Sequence, residues 1–210
     1  SFLVEADIDF DKAYEGKLEF SDLSPFMEQL PNPNEFISVK GASDSKSVLL
    51  RYLGANTEPC FSVVKKDSVD KLQTRNREQQ YALDLLLDPK VKLVTLVGKA
   101  GSGKTLLALA AGLEQTIGTK GKVYKSLVVS RPVTPMGGKG NDIGFLPGTL
   151  EEKLEPWIAP IKDNLRFLMS QGKRTKQSEE TLNILFEHGT IEVEALMYIR
   201  GRSIANAYMI

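Results

Sequence analysis

One glycine-rich run carries the clearest chemical signal in this sequence. It fits the pattern G-x-x-x-x-G-K-[ST] of a phosphate-binding loop without a mismatch. Its residues, from first to last, are Gly98, Lys99, Ala100, Gly101, Ser102, Gly103, Lys104 and Thr105. Glycines let the main chain approach an anion so closely that successive N–H groups converge on it. We expect Lys104 to reach the β- and γ-phosphates of a nucleotide and Thr105 to bind Mg²⁺, which makes these two the candidate catalytic residues.

The segments on either side of the run have the composition that this motif requires. Before it, residues 91–97 are apolar and rich in β-branched side chains, which predicts a buried parallel strand. After it, apolar residues recur at helical spacing and predict a helix from about Gly103 to Thr116. The order strand, loop, helix favours a nucleotide site over a glycine-rich turn without a ligand.

Length and composition exclude several classes of protein. The 210 residues are enough for one domain and a substantial additional segment. Acidic and basic residues balance at 27 each, so the overall charge predicts neither a nucleic-acid nor an acidic partner. Cys60 and His188 are the only residues of their types, which excludes an internal disulfide and argues against a Cys/His metal cluster. The sequence has no apolar run of membrane length and no signal peptide, so we expect a cytoplasmic protein that does not span a membrane.

Turn-rich segments divide the chain into three predicted parts. Residues 1–34 end in a run of Pro and Asn that is typical of a linker, so we interpret them as a connector. Residues 35–70 carry short β-branched runs and predict a small β-rich segment. Residues 71–210 alternate predicted strands and helices, which predicts an α/β domain with a parallel sheet flanked by helices. The chain lacks an initiator Met and ends within the apolar run 205–210, so we expect a fragment of a longer protein.

The helix predicted over residues 75–87 begins with side chains that could recognise a base. Asn76 and Gln79 carry amides, which offer both a donor and an acceptor to the edge of adenine. The alternative is an ordinary solvated helix start, which is the more common role of such residues.

Basic residues after two predicted strands are candidates for contacts with other molecules. Arg131, Thr134 and Lys139 follow the strand predicted over residues 126–130, at the sheet edge where ligands collect in open parallel sheets. They could contact a substrate or a nucleic-acid backbone, and an ordinary exposed loop is an equal alternative. Arg200 and Arg202 precede the final apolar run and are candidates for contacts with a neighbouring subunit or with a bound strand.

Further motifs connect the chain with one known family. They are residues 75–86, the phosphate loop, Ser130-Arg131-Pro132, the stretch Asp142-Ile143-Gly144-Phe145-Leu146-Pro147-Gly148, Glu155-Pro156-Trp157 and residues 200–204. With these motifs, residues from about 70 to 210 resemble the ATPase domain of the PhoH-like family, in the form that follows an N-terminal PIN ribonuclease domain. The Gly-Phe-Leu-Pro-Gly stretch is the most specific of the motifs, because other phosphate-loop families lack it.

The resemblance implies a fold and roles for several residues. The family core is related to superfamily 1 helicases, which implies a RecA-like phosphate-loop domain. In those enzymes a glutamine before the phosphate loop reads adenine, which matches Gln79, and the loop after the second strand contacts single-stranded nucleic acid, which matches Arg131 to Lys139. The family also has an Asp-Glu-Ala-Gln box after the strand that begins near Tyr208. This chain ends before that box, so we expect it to bind ATP but to hydrolyse little of it.

The resemblance favours one function and leaves two alternatives open. It implies ATP binding, with Mg²⁺-dependent hydrolysis in the intact protein, driving helicase-like action on single-stranded RNA coupled to the PIN nuclease domain, in a homo-oligomer that is expected to be a hexamer. One alternative is a small-molecule kinase or a GTPase with the same loop, although the sequence has no Asn-Lys-x-Asp motif for guanine. The other is a nucleotide-gated assembly module without motor activity.

Overall fold

The structure consists of two compact units, each with its own sheet. The computed structural model describes residues 1–43, 45–66, 69, 72–118, 121–131, 150–170, 176–199 and 201–210. Residues Ser1–Ser68 and Thr74–Asp88 form the first unit. Residues Val69–Gln73 and Pro89–Ile210 form the second. No helix within the described ranges combines the length and the apolar character needed to cross a lipid bilayer.

The first unit is built on a four-stranded sheet in the order β1-β2-β3-β4. Its strands are β1 (Phe2–Glu5), β2 (Phe36–Lys40), β3 (Ser47–Tyr52) and β4 (Phe61–Val63). Strand β1 runs parallel to β2, whereas the other neighbours are antiparallel. Alternate side chains such as Ile37, Val39 and Leu50 are buried, because successive residues of a strand point to opposite faces of the sheet. The β-rich character predicted for residues 35–70 is therefore present.

The first 34 residues belong to the same unit and are more than a linker. Besides β1 they form the helices α1 (Phe10–Tyr14) and α2 (Phe20–Leu23), followed by a 3₁₀ turn at Ser24–Phe26. Phe10, Leu18 and Leu23 are buried in one core with the strands. Helices of four or five residues are too short to show a helical period, which is why the sequence pattern did not indicate them.

Helix α3 (Arg77–Leu87) packs on the sheet of the first unit. The rings of Phe36 and Tyr81 stack with centroids 4.3 Å apart and an interplanar angle of 15°. The predicted helix is confirmed, but its buried residues are Tyr81 and Leu83 rather than the predicted face of Ala82, Leu85 and Leu86. The stacked rings account for this rotation, since they place Tyr81 against β2.

The second unit contains a three-stranded parallel sheet with β5 (Ser126–Arg131) in the centre. Strand β6 (Ile191–Ala195) lies on one side of it and β7 (Ala207–Met209) on the other. Its helices are α4 (Lys104–Ile117), α5 (Leu150–Ser170), α6 (Lys176–Glu187) and α7 (Leu196–Ile199). Helix α4 packs on β5, β7 and α5, and α6 packs on α5 and β6. The prediction of an α/β fold with a parallel sheet and flanking helices is confirmed.

One predicted element of the second unit is wrong. No strand forms at residues 91–97, and within the described residues this run has no partner strand. Leu93 is 84% exposed and Val97 is 92% exposed, in contrast to the predicted burial. A strand requires a neighbour for its main-chain hydrogen bonds, and an apolar composition alone does not provide one.

Candidate nucleotide-binding site

Two of the three glycines in the glycine loop, residues Gly98 to Gly103, have left-handed main-chain conformations. Gly101 and Gly103 adopt φ values of 77° and 88°, in the left-handed region that favours glycine. Gly103 is the N-cap of α4, and no side chain among the described residues caps the helix there. The first N–H groups of α4 are therefore available to an external acceptor, and the helix dipole favours an anion at this end.

Lys104 is the first residue of α4 and folds back over the loop. Its ammonium group donates to the carbonyl oxygens of Gly98 and Lys99, each at 2.8 Å, and to the Ser102 hydroxyl at 3.3 Å. Thr105 follows in the first helical turn and is exposed. The structure thus brings together a cation, a free helix N-terminus and an exposed hydroxyl, which suit a phosphate group with its Mg²⁺.

Helix α4 is fixed against the sheet by a close approach at Gly112. A Cβ atom placed on Gly112 would lie 2.6 Å from Leu127 Cδ1 and 2.9 Å from Tyr208 Cδ1. Only glycine allows the helix and the sheet to come this close. Because Leu127 and Tyr208 lie on β5 and β7, the start of α4 has a defined position relative to these strands.

Asn76 and Gln79 form the N-terminal cap of α3. The side chain of Asn76 accepts a hydrogen bond from the main-chain N–H of Gln79 at 2.9 Å, and that of Gln79 accepts one from the N–H of Arg75 at 2.8 Å. The first bond is an N-cap bond and the second ties the residue before the cap to the first turn, so both stabilise the helix start. Both residues belong to the first unit and the glycine loop belongs to the second, so their role toward adenine stays a prediction.

The described residues include only part of the predicted nucleic-acid contacts. Arg131 is the last residue of β5 and is exposed. Thr134, Lys139 and the Gly144–Gly148 stretch lie outside the described residues, as does Arg200.

Arg202 pairs with two carboxylates on the adjacent strand. It donates to Glu194, and its Nη2 atom lies 3.4 Å from Glu192 on the same strand, β6. The bond to Glu194 raises the pKa of the Arg202 guanidinium. These ion pairs lie within one chain, so a contact of Arg202 with a neighbouring subunit stays a prediction.

Sequence comparison places the chain among known proteins. The sequence model of the PhoH-like protein family matches residues 71–210. The chain belongs to this PhoH-like family. The family assignment made from the motifs is thereby confirmed.

Three relatives show how far the similarity extends. The protein PhoH2 of Bacillus subtilis (strain 168) is 44% identical over 188 residues, which are 85% of this chain and 38% of the relative. Protein PhoH2 of Mycolicibacterium smegmatis is 41% identical over 139 residues, 66% of this chain and 29% of the relative. The PhoH-like protein of Mycobacterium leprae is 34% identical over 114 residues, 54% of this chain and 29% of the relative. The chain therefore spans less than two fifths of the length of these relatives.

One polar cluster of the first unit was missed by sequence reasoning. Arg51 on β3 is buried, and its guanidinium lies 3.0 Å from Asp84 Oδ2 and donates to Asp88 Oδ2 at 2.5 Å. Two signals could have indicated it. Asp84 lies in α3 and Asp88 directly follows the helix, and their spacing of four residues places them on the same side. Arg51 is a charged residue within the otherwise apolar strand β3.

Proposed function

We propose that this chain binds ATP through the glycine loop and that the protein to which it belongs hydrolyses ATP with Mg²⁺. The arrangement at the start of α4 is the observation that carries the proposal. Gly101 and Gly103 hold left-handed conformations, Lys104 is the first residue of the helix, and no side chain in the described ranges caps the helix start. Membership of the PhoH-like family supports nucleotide binding of an ATPase-like kind and a phosphate-loop fold.

Each residue of the proposed site has a separate role. The N–H groups of the loop and of the first turn of α4 bind the phosphates, and Lys104 neutralises their charge. The hydroxyl of Thr105 is the protein ligand for Mg²⁺, which supplies charge neutralisation between the phosphates when it is bound. The amides of Asn76 and Gln79 distinguish adenine from guanine, because the two bases present different donors and acceptors.

We extend the proposal to the action of the whole protein. ATP hydrolysis would drive helicase-like action on single-stranded RNA, with Arg131, Thr134 and Lys139 contacting its backbone. A PIN nuclease domain in the intact chain would act on the same RNA, and Arg200 with Arg202 would contact a neighbouring subunit of a homo-oligomer, a hexamer. The family resemblance supports this extension, and the exposed position of Arg131 at the carboxyl end of β5 is consistent with it.

Binding of a fluorescent ATP analogue tests the role of Lys104. A charge-assisted hydrogen bond contributes about 1.5–3 kcal/mol, so Lys104→Ala should weaken the affinity by about 10- to 150-fold. Lys92→Ala is the matched control, because Lys92 lies outside the loop and donates to the nearby carbonyl of Pro89. Undiminished binding by Lys104→Ala would show that the loop does not bind the phosphates.

Competition between ATP and GTP separates this proposal from a GTPase. If Gln79 reads adenine, GTP should displace the ATP analogue less well than ATP does, and Gln79→Ala should reduce that preference. A clear preference for GTP in the unmodified chain would contradict the proposal.

A further inference from the structure

The free edge of β1 borders an open cleft in the first unit. Residues 2–5 form one wall of the cleft and residues 26–29 the other, and together they enclose about 390 Å³. Among the strands that the structure describes, β1 pairs with β2 alone, so it is an edge strand of its sheet. An unpaired edge presents main-chain donors and acceptors that another strand can use.

The hydrogen-bond pattern shows which groups of β1 face the cleft. The N–H of Ala6 donates to the carbonyl of Lys40, next to the end of β2. Because main-chain groups alternate between the two sides of a strand, those of Val4 also face β2, and those of Leu3 and Glu5 face away from it. Outside the pairing of β1 with β2, no main-chain hydrogen bond within the described part of the chain uses the N–H or carbonyl groups of Leu3 or Glu5.

The cleft combines apolar and acidic side chains. Phe2 and Met27 pack against the core of the unit, while Leu3 is 64% exposed and Phe26 is 47% exposed beside them. Glu5 and Glu28 line the same cleft and are exposed. Neither of these carboxylates has an ion-pair partner among the residues that the structure describes. The cleft therefore carries two negative charges next to an apolar surface.

We propose that β1 binds an extended basic peptide segment of a partner protein as an additional strand. The partner's main chain would pair with Leu3 and Glu5, which is the mode of recognition called strand addition. Its Lys or Arg side chains would lie on the face of the sheet that carries the side chains of Leu3 and Glu5, where they pair with the carboxylates of the cleft. Its alternate, apolar side chains would lie on the opposite face, beside Phe2. The charge of the cleft is what selects this occupant, because an acidic or uncharged strand would leave both carboxylates unpaired. The proposal does not depend on nucleotide binding.

Fluorescence anisotropy of a labelled, capped hexapeptide of alternating Val and Lys tests this proposal on the full chain. We expect saturable binding that weakens as salt is added, because the carboxylates are exposed. The double variant Glu5→Lys/Glu28→Lys should bind about tenfold more weakly or worse. The matched control is Glu58→Lys, an exposed residue of the same unit that does not line the cleft, and it should bind within about twofold of the unmodified chain. Equal binding by the double variant and the control would overturn the proposal. It would also be overturned if a peptide of alternating Val and Glu bound the unmodified chain as tightly as the Val-Lys peptide does.

Main-chain pairing is tested from both sides of the interface. Leu3→Pro removes an N–H that faces the cleft and leaves the pairing of Val4 with β2 in place, so it should reduce binding by about fivefold or more. Circular dichroism checks that this variant is folded. If the variant is not folded, two modified peptides replace it in the test. One is methylated on the main-chain nitrogens of all its Val residues and the other on those of all its Lys residues. Only one of these two sets of N–H groups can face β1, because main-chain groups alternate between the sides of a strand.

The remaining outcomes decide the identity of the occupant. One methylated peptide should keep its affinity and the other should lose it, and equal affinities would refute strand addition. Self-association of the chain that Leu3→Pro abolishes would identify a second copy as the occupant and overturn the proposal of a basic partner. Lys104→Ala should leave peptide binding unchanged, so failure of the nucleotide proposal and failure of this one are distinguishable.

Discussion

Replacing Arg51 by Met should destabilise the first unit more than any exposed charge replacement. The side chain of Arg51 is only 7% exposed and holds Asp84 and Asp88 of the α3 region at 3.0 Å and 2.5 Å. Its loss leaves the carboxylates of Asp84 and Asp88, which are 20% and 19% exposed, without their cation. Breaking a buried ion pair in this way costs up to about 3–5 kcal/mol. A loss of that size is a large fraction of the typical stability of a domain, about 5–15 kcal/mol.

Urea unfolding followed by circular dichroism measures this loss, and hydrogen exchange of residues 77–87 shows whether α3 is the part that opens. Arg77→Met is the matched control, because the Arg77–Glu78 pair is exposed on both sides and should contribute less than about 1 kcal/mol. Replacing Arg51, Asp84 and Asp88 together by Met, Asn and Asn should recover most of the stability, since no buried charge then remains unpaired. If Arg51→Met lost no more stability than Arg77→Met, the reasoning would be refuted.

The same variant should have a distinct pH dependence. Burial raises the pKa of Asp84 in the folded chain, and the charge of Arg51 acts in the opposite direction. Between the unfolded pKa and this raised folded pKa, the folded chain binds more protons than the unfolded chain, so stability falls as pH rises through that window. Without Arg51 the folded pKa rises further. Arg51→Met should therefore lose less stability relative to the unmodified chain at acidic pH than at neutral pH.

Two glycines of the second unit give further predictions. Gly103→Ala places a side chain at φ 88°, which should lower the unfolding free energy by about 1–2 kcal/mol and also weaken binding of the ATP analogue. Unchanged affinity with unchanged stability would show that the left-handed conformation at this residue is not needed. Gly112→Ala introduces a Cβ 2.6 Å from Leu127, which should cost about 1–3 kcal/mol through overpacking, partly offset by the higher helix propensity of Ala, about 1 kcal/mol. A rise in melting temperature for this variant would mean that α4 can move away from the sheet without loss.

Local patterns were sufficient to predict the elements that depend on their own sequence. The spacing of Leu106, Leu109 and Leu113 predicts α4, and the structure places that helix at Lys104–Ile117. The glycines of the loop are informative for a similar reason. A left-handed conformation is a property of a single residue, so Gly101 and Gly103 indicate the geometry of the loop without knowledge of the rest of the fold.

Features that depend on distant partners could not be predicted in this way. Residues 91–97 have the composition of a strand, but pairing requires a neighbour that the pattern does not specify. Strand β1 is the reverse: its four residues were not predicted as a strand, but they form one because they pair in parallel with β2, more than 30 residues later. The cluster of Arg51 with Asp84 and Asp88 likewise joins residues that are far apart in sequence. Contact of Gln79 with adenine likewise depends on where residues distant in sequence lie, and it stays a prediction.

The bonds of Lys104 give the proposed binding event the character of an exchange reaction. Its ammonium group is already held by the carbonyls of Gly98 and Lys99 and by Ser102, so a phosphate must replace these acceptors. The free energy of the replaced bonds is subtracted from the gain, and a measured affinity will therefore understate the strength of the contact between Lys104 and phosphate. Once released, the two carbonyls no longer converge on a cation and their peptide planes can reorient. Binding of a phosphate by Lys104 would thereby be coupled to the main-chain conformation of the glycine loop.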